Sequence, residues 1–115
     1  MTKHDAVYLQ DILQEIAIIS QLTEKITMDE FLENIHYQRA LERSLEIIGE
    51  AAKKISKSFC DQYPEVQWKG MAGLRDVLIH KYDVVDTLQV WNVVTVKIPI
   101  LHDQLEQILS NLSQN

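Results

Sequence analysis

The sequence predicts an all-α domain, and three features carry that prediction. Apolar residues recur every three or four positions, and no stretch of more than a few residues alternates as a strand would. Only three glycines and two prolines occur in 115 residues, so no linker, repeat or low-complexity segment divides the chain. A chain of this length supports one hydrophobic core. We therefore predict a single domain, residues 1–115, folded as an up-and-down bundle of four to five helices.

The first two helices are predicted from their apolar stripes and from one capping signal. Residues 5–21 form the first helix, whose buried stripe is Leu9, Ile12, Leu13, Ile16 and Ile19. The second helix begins at a capping box, in which Thr27 and Glu30 each satisfy a backbone N–H of the other. Its apolar pattern continues to Ile55, so we expect one uninterrupted helix up to that residue.

The second half of the chain predicts two further helices. The pattern breaks around residues 61–64, where Pro64 disfavours a helical conformation for the residue before it. A shorter third helix is predicted over residues 68–80. The last helix is predicted to begin after Asp86 as its N-cap and to extend to Leu112. Because Pro99 cannot donate a backbone hydrogen bond, we expect a kink or a restart there.

The charge of the chain limits the functions that it can serve. A net charge of −6 argues against indiscriminate nucleic-acid binding, which needs a surplus of Lys and Arg. Residues 39–81 are nevertheless mildly basic, while the flanks are strongly acidic. The alternative is that Lys53, Lys54 and Lys57 only complement the dipole at the end of a helix. No apolar stretch is long enough for a membrane span, and residues 1–5 do not resemble a signal peptide, so we expect a cytoplasmic protein that makes no membrane contact.

The sequence contains one potential nucleophile and one potential pair of metal ligands, and we interpret both as structural. The lone Cys60 has no second cysteine for a disulfide or a zinc site, so we interpret it as a reduced, partly buried thiol. Glu33 and His36 match the Glu-x-x-His spacing of di-iron bundles, but such a site needs a second copy of the motif and two more glutamates. We therefore expect His36 to be a surface or dimer-contact residue, and we expect no metal or cofactor.

The segment from Gly73 to Tyr82 carries the best candidate for chemistry. On a helix, Arg75, Asp76 and His80 would lie opposite an apolar face, with Asp76 one turn from His80. An imidazole can move the proton of an RNA 2′-hydroxyl near neutral pH, and a guanidinium can stabilise the charge that grows on the phosphate. Asp76 could orient His80 and raise its pKa. The spacing alone is also compatible with the alternative that these three residues are ordinary solvated side chains.

These residues resemble the signature of a known family. The spacing of Arg75, His80 and Tyr82 is similar to the Arg-x-x-x-x-His-x-Tyr motif of HepT toxins in the HEPN superfamily. Further segments resemble that family in order and spacing over residues 28–112; they are 31–34, 45–52, 68–75, and 90–91 ahead of 98–99. The resemblance implies a HEPN-like, homodimeric helical bundle.

The resemblance also implies an activity and two partners. It implies a toxin that is a metal-independent endoribonuclease acting on RNA rather than DNA, with Arg75 and His80 of both protomers lining a groove between them. Asp76, in the supporting position after the Arg, adds negative charge beside the phosphate site. The implied second partner is a MntA-type nucleotidyltransferase antitoxin that transfers AMP onto Tyr82. Adenylate there would exclude RNA by bulk and by like-charge repulsion.

Two other classes of function use the same helix surface differently. A non-enzymatic helical binding subunit of a nucleotidyltransferase complex needs an accessible helix but no acid–base pair, so an intact Arg75, His80 and Tyr82 set argues against it. A structural dimer module would make that set a coincidence. The sequence favours the ribonuclease toxin, then the binding subunit, then the structural module.

Overall fold

A computed structural model describes residues 1–80 and 87–114, and for residues 75–77, 79 and 80 it describes the helical backbone alone. Within these residues the chain is helical and contains no strand. The elements in order are α1 (Lys3–Thr23), α2 (Met28–Glu33), α3 (Ile35–Lys54), α4 (Lys57–Gln62), α5 (Trp68–His80), α6 (Thr87–Asn92), a π-helical turn (Val93–Lys97) and α7 (Ile98–Ser113). The predicted all-α fold class is confirmed. Position 86, the predicted N-cap of the last helix, lies outside the described residues, and α6 begins directly after it.

Helix α3 is the centre of the bundle. Both α1 and α5 pack along α3, α7 packs on α1, and α6 contacts α2 and α3. The core is apolar, and its largest fully buried side chains are Phe31, Phe59, Leu9, Ile12, Ile16, Ile19, Leu41, Leu45, Ile48, Leu105, Ile108 and Val94. Four of the five residues predicted for the α1 stripe are fully buried, and Leu13 is half-buried against the same core. The apolar periodicity therefore identified the core-facing side of α1 correctly.

The predicted second helix is two helices, and this prediction of continuity was wrong. The capping box at its start is confirmed, with Thr27 N donating to Glu30 at 2.9 Å and Glu30 N donating to Thr27 Oγ1 at 3.1 Å. Asn34 then leaves the helical conformation (φ −124°, ψ 107°), and its side chain caps α3 by accepting from His36 N at 2.9 Å. The Gln38 amide donates to the carbonyls left free at the end of α2. A polar cap on both sides makes a break of one residue stable.

The structure also contains a short helix that the apolar pattern did not predict. Helix α4 begins after Ser56, whose hydroxyl accepts from Phe59 N at 3.3 Å, and it ends before Tyr63. Phe59 is fully buried, and its ring lies tilted against that of Tyr63, with ring centroids 5.0 Å apart. Two turns of helix are too short to show a clear apolar period, which is why the N-cap serine was the only available signal.

The disturbance expected at Pro99 takes the form of a π-helical turn just before it. Ile98 N donates to Val93 O, five residues back, so the turn is wider than an α-helical one. Thr95 Oγ1 also donates to the carbonyl of Trp91 at 2.7 Å. Widening the helix before a proline relieves the clash of its ring with the preceding turn. The helical backbone continues through the turn without a break, and α7 carries the apolar stripe to the end.

No helix in the described ranges is long and apolar enough to cross a membrane.

Candidate active site

Helix α5 carries the predicted motif, and its first turn is firmly anchored. Trp68 begins the helix and is buried, with Nε1 donating to the Tyr63 carbonyl at 3.0 Å. Its ring meets Phe59 edge to face at 6.0 Å. The preceding loop is tied to α7, because the Gln104 amide donates to Glu65 O at 3.0 Å. Trp68 is therefore a core residue, and a buried indole is not available to stack on a base.

One face of α5 packs into the core and another is open. Met71 and Leu78 are buried and Leu74 is half-buried, as the sequence predicted for this helix. Gly73 lies on a different side, where a Cβ atom would meet nothing within 4 Å. No glycine among the described residues has a positive φ, so the backbone at Gly73 does not require glycine. A glycine in a helix interior costs about 1 kcal/mol relative to alanine. Packing among the described residues does not account for that cost.

The motif residues can be placed along α5 by their backbone positions. Arg75, Asp76 and His80 all belong to the continuous helix Trp68–His80. Positions 76 and 80 are one turn apart and lie on the same side of the helix as Gly73. Arg75 is five residues before His80, which separates the two positions by about 140° around the axis and about 7.5 Å along it. Tyr82, the predicted modification site, lies outside the described residues.

Several charges in the mildly basic middle of the chain are neutralised locally. Arg43 pairs with Glu46 at 3.2 Å, and Lys54 lies 3.8 Å from Glu50. Both pairs join residues three or four positions apart on one helix, where side chains are neighbours. Lys57, which the sequence associated with a helix end, instead lies in the first turn of α4 and pairs with Asp61 at 2.7 Å. In each pair a neighbouring carboxylate neutralises the positive charge, so this surface binds phosphate groups less strongly.

Glu42 is a half-buried carboxylate on α3, the helix against which α5 packs. Burial raises its pKa, repulsion from Glu46 raises it further, and Arg39 partly offsets both. Its ionised form is therefore disfavoured in the folded protein relative to an exposed glutamate.

The comparisons with known proteins identify the family of the chain. Residues 12–108 match the model of a family described as "Ribonuclease HepT-like". A protein of Methanocaldococcus jannaschii, named provisionally as an RNase, is 42% identical over 97% of this chain and 93% of its own length. Another from that organism, also named provisionally as an RNase, is 39% identical over 99% of both chains. A protein of Thermococcus cleftensis with the name "Probable ribonuclease HepT" is 42% identical over 88% of this chain and 92% of its own.

The chain belongs to the HepT-like ribonuclease family. The family match covers most of the chain and includes all of α5, so the resemblance noted from the sequence is confirmed. The prediction that the protein is a ribonuclease of the HEPN type is confirmed with it. No solved structure matches the chain.

The other residues that the sequence singled out do not add a second site to this HepT-like ribonuclease. Glu33 ends α2 and His36 lies in the first turn of α3, so the break at Asn34 removes the single helix face that a Glu-x-x-His ligand pair needs. In the described ranges no three His, Cys, Asp or Glu side chains are placed to hold a metal ion. Cys60 is half-buried, and burial, followed by the charges of Asp5 and Asp61, raises the pKa of its thiol. A thiol with a raised pKa is a poor nucleophile.

One buried polar cluster, around Asp5, was not predicted from the sequence. Asp5 is only 2% exposed, although it was placed merely at the start of the first helix. It forms a capping box with Thr2 and also accepts hydrogen bonds from Ser56, 51 residues along the chain. The Thr-x-x-Asp spacing at residues 2–5 is a recognisable capping signal. The tie to Ser56 could not be predicted, because it depends on how α1 and α4 pack.

Proposed function

We propose that this ribonuclease is the toxin of a toxin–antitoxin pair and cleaves RNA internally, without a metal ion, using Arg75 and His80. The observation that carries the proposal is that both residues fall on one uninterrupted helix, α5, whose first turn is fixed by buried and hydrogen-bonded groups. A rigid element holds catalytic groups more accurately than a loop does. The family match supplies the reaction class, and the motif supplies the groups that could perform it.

The proposed chemistry needs only an acid–base group and a cation. His80 takes the proton from the RNA 2′-hydroxyl, and the 2′-oxygen attacks the adjacent phosphorus while the bond to the 5′-oxygen breaks. The 5′-oxygen takes a proton from water as it leaves, and the products are a 2′,3′-cyclic phosphate and a 5′-hydroxyl. Arg75 stabilises the extra negative charge that the phosphate carries in the transition state. Asp76, one turn from His80, orients the imidazole.

A second copy of the chain completes the proposed site. Positions 75 and 80 are about 140° apart around α5, so one copy of the helix presents them at opposite edges of the side that faces away from its apolar positions. Two protomers related by a two-fold axis can place Arg75 and His80 of each in a common groove. The open side of α5 at Gly73, where a Cβ would meet nothing within 4 Å, supports close approach of another molecule to this helix. Sedimentation should therefore show a dimer at micromolar concentration, and a stable monomer would contradict the shared groove.

The proposed regulation is adenylylation of Tyr82 by a MntA-type nucleotidyltransferase. In that step the Tyr82 oxygen forms a bond to the α-phosphorus of ATP, and pyrophosphate leaves. Tyr82 is only two residues beyond His80, so the added phosphate would place negative charge beside the proposed RNA-binding groups. RNA would then be excluded by bulk and by repulsion between like charges.

Expression in cells with and without the antitoxin tests this proposal. The wild-type chain should inhibit growth, and co-expression of the nucleotidyltransferase should restore growth and add adenylate mass to the peptide that contains Tyr82. Tyr82→Phe should remain toxic and escape neutralisation. If the antitoxin neutralises Tyr82→Phe fully and no mass is added, inhibition is by complex formation alone. If the wild-type chain is harmless but binds the nucleotidyltransferase, the binding-subunit function replaces the toxin.

A further inference from the structure

The buried carboxylate of Asp5 has no part in the proposed chemistry, yet it accepts three hydrogen bonds. Its two oxygens accept from Ser56 N at 2.8 Å and from Ser56 Oγ at 2.7 Å, and Thr2 N approaches at 3.4 Å. In return Asp5 N donates to Thr2 Oγ1 at 3.0 Å. We call Thr2, Asp5 and Ser56 the N-terminal clamp. Residues 2–5 lie outside the range 12–108 that matches the family model, so the family match does not assign the clamp a role.

A buried charge of this kind is costly unless it is fully satisfied. Taking a carboxylate out of water costs several kcal/mol, and only short, charge-assisted hydrogen bonds offset that cost. No buried side-chain polar atom in the described residues lacks a partner, so the clamp is satisfied within the chain. A neutral apolar contact could join α1 to α4 at lower cost. The clamp therefore contributes directional positioning, which apolar packing does not provide.

The clamp is connected to α5 by a continuous series of contacts. Ser56 is the N-cap of α4, and its hydroxyl accepts from Phe59 N at 3.3 Å while it also donates to Asp5. The Phe59 ring, fully buried, packs edge to face on Trp68 at 6.0 Å. Trp68 is the first residue of α5 and is fixed by its own bond to the Tyr63 carbonyl. Each member of the series is buried or hydrogen-bonded, so contacts run without a gap from Ser56 to the start of α5.

We infer that Asp5 is a positioning residue, which fixes α4 through Ser56 and thereby sets the placement of α5 and of the motif that α5 carries. This inference rests on the proposed function, because it assigns Asp5 a role in presenting Arg75 and His80. The N-terminal residues thus control the geometry of a site that lies in the last turns of a helix 70 positions further along the chain. Because active sites tolerate little displacement, a shift of about 1 Å in a remote element can reduce the rate by about a hundredfold.

The test compares RNA cleavage and hydrogen exchange in variants of the full chain. Asp5→Asn keeps the size of the side chain but removes its charge, and Ser56→Ala removes one donor and the cap of α4. At a temperature where both variants are fully helical, each should lower kcat by about tenfold or more while KM stays within about twofold. Ser56→Thr keeps the hydroxyl and the backbone donor, and it should retain nearly the full kcat.

Two control variants separate positioning from general loss of stability. Asp11→Asn removes an exposed carboxylate from the same helix and should leave kcat unchanged. Ile108→Val weakens the core on α7, a helix that makes none of the clamp's hydrogen bonds, and should lower the thermal midpoint without lowering kcat. Equal kcat values for Asp5→Asn, Ile108→Val and wild type under native conditions would mean that the clamp stabilises the fold without positioning α5. That result would overturn the inference.

Hydrogen exchange gives a result that does not depend on activity. The amides in the first two turns of α5, residues 68–74, should exchange faster in Asp5→Asn than in Ile108→Val when the two are compared at equal global stability. If wild type cleaves no RNA, the proposed function fails, but exchange still decides whether the clamp holds α5. Unchanged protection of α5 in Asp5→Asn would refute the clamp whether or not the enzyme is active.

Discussion

Replacing Asp5 with alanine should destabilise the protein far more than removing any exposed carboxylate. The variant loses two short hydrogen bonds, from Ser56 N at 2.8 Å and from Ser56 Oγ at 2.7 Å. A hydrogen bond to a charged group contributes about 1.5–3 kcal/mol, and loss of the buried charge returns part of its desolvation cost. We therefore expect Asp5→Ala to lower the free energy of unfolding by about 3 kcal/mol, which corresponds to a fall in Tm of about 12 °C for a chain of this size.

The difference should also depend on pH, with a defined sign. Burial by itself would raise the pKa of Asp5, but the hydrogen bonds from Ser56 and Thr2 outweigh it, and the folded-state pKa lies below the ordinary value of 3.8. A lowered pKa means that the folded state holds the ionised form more strongly than the unfolded state does. The stabilisation is therefore fully present above the ordinary value and is lost as the pH falls through the lower, folded-state pKa.

Thermal or urea unfolding followed by circular dichroism measures both effects. At pH 7 the wild type and Asp5→Ala should differ by the full amount, and the difference should shrink below about pH 3.8. Asp11→Ala serves as the control and should stay within about 0.5 kcal/mol of wild type at either pH. The reasoning would be refuted by a loss below about 1 kcal/mol at pH 7, or by a difference that grows as the solution is acidified.

Two further predictions concern α3. Asn34→Ala should lower the free energy of unfolding by about 1 kcal/mol, because it removes the side chain that accepts from His36 N and Tyr37 N. Asn34→Asp keeps an acceptor and should be nearly neutral. Equal stability of the two variants in urea unfolding would contradict the capping role. Glu42→Gln should raise the thermal midpoint at pH 7. Burial and the charge of Glu46 raise the pKa of Glu42, so its ionised form destabilises the fold at pH values above the ordinary pKa of 4.5. The rise in thermal midpoint should therefore vanish below that pH. A rise that persists there would contradict this explanation.

The sequence predicted the fold wherever a local rule agreed with the packing. Thr27 and Glu30 formed the expected capping box, and the α1 stripe faced the core. The break at Asn34 was missed because the apolar spacing continues across it, and only the cap chemistry reveals the change of direction. For the proposed active site, the sequence supplied the residue types and their spacing. The clamp at Asp5 was missed because its two halves are 51 residues apart, and a single sequence contains no signal that joins them.

Cleavage of RNA by the purified chain tests the central claim most directly. A labelled single-stranded RNA is incubated with wild type, Arg75→Ala, His80→Ala and the control Lys25→Ala, in buffer containing a metal chelator. The account predicts that wild type and Lys25→Ala cut the RNA internally and leave 2′,3′-cyclic phosphate ends. Arg75→Ala and His80→Ala should lose at least about a hundredfold in rate while their circular dichroism and Tm stay near those of wild type. Cleavage that survives in both motif variants, or that disappears from wild type when the chelator is added, would contradict it.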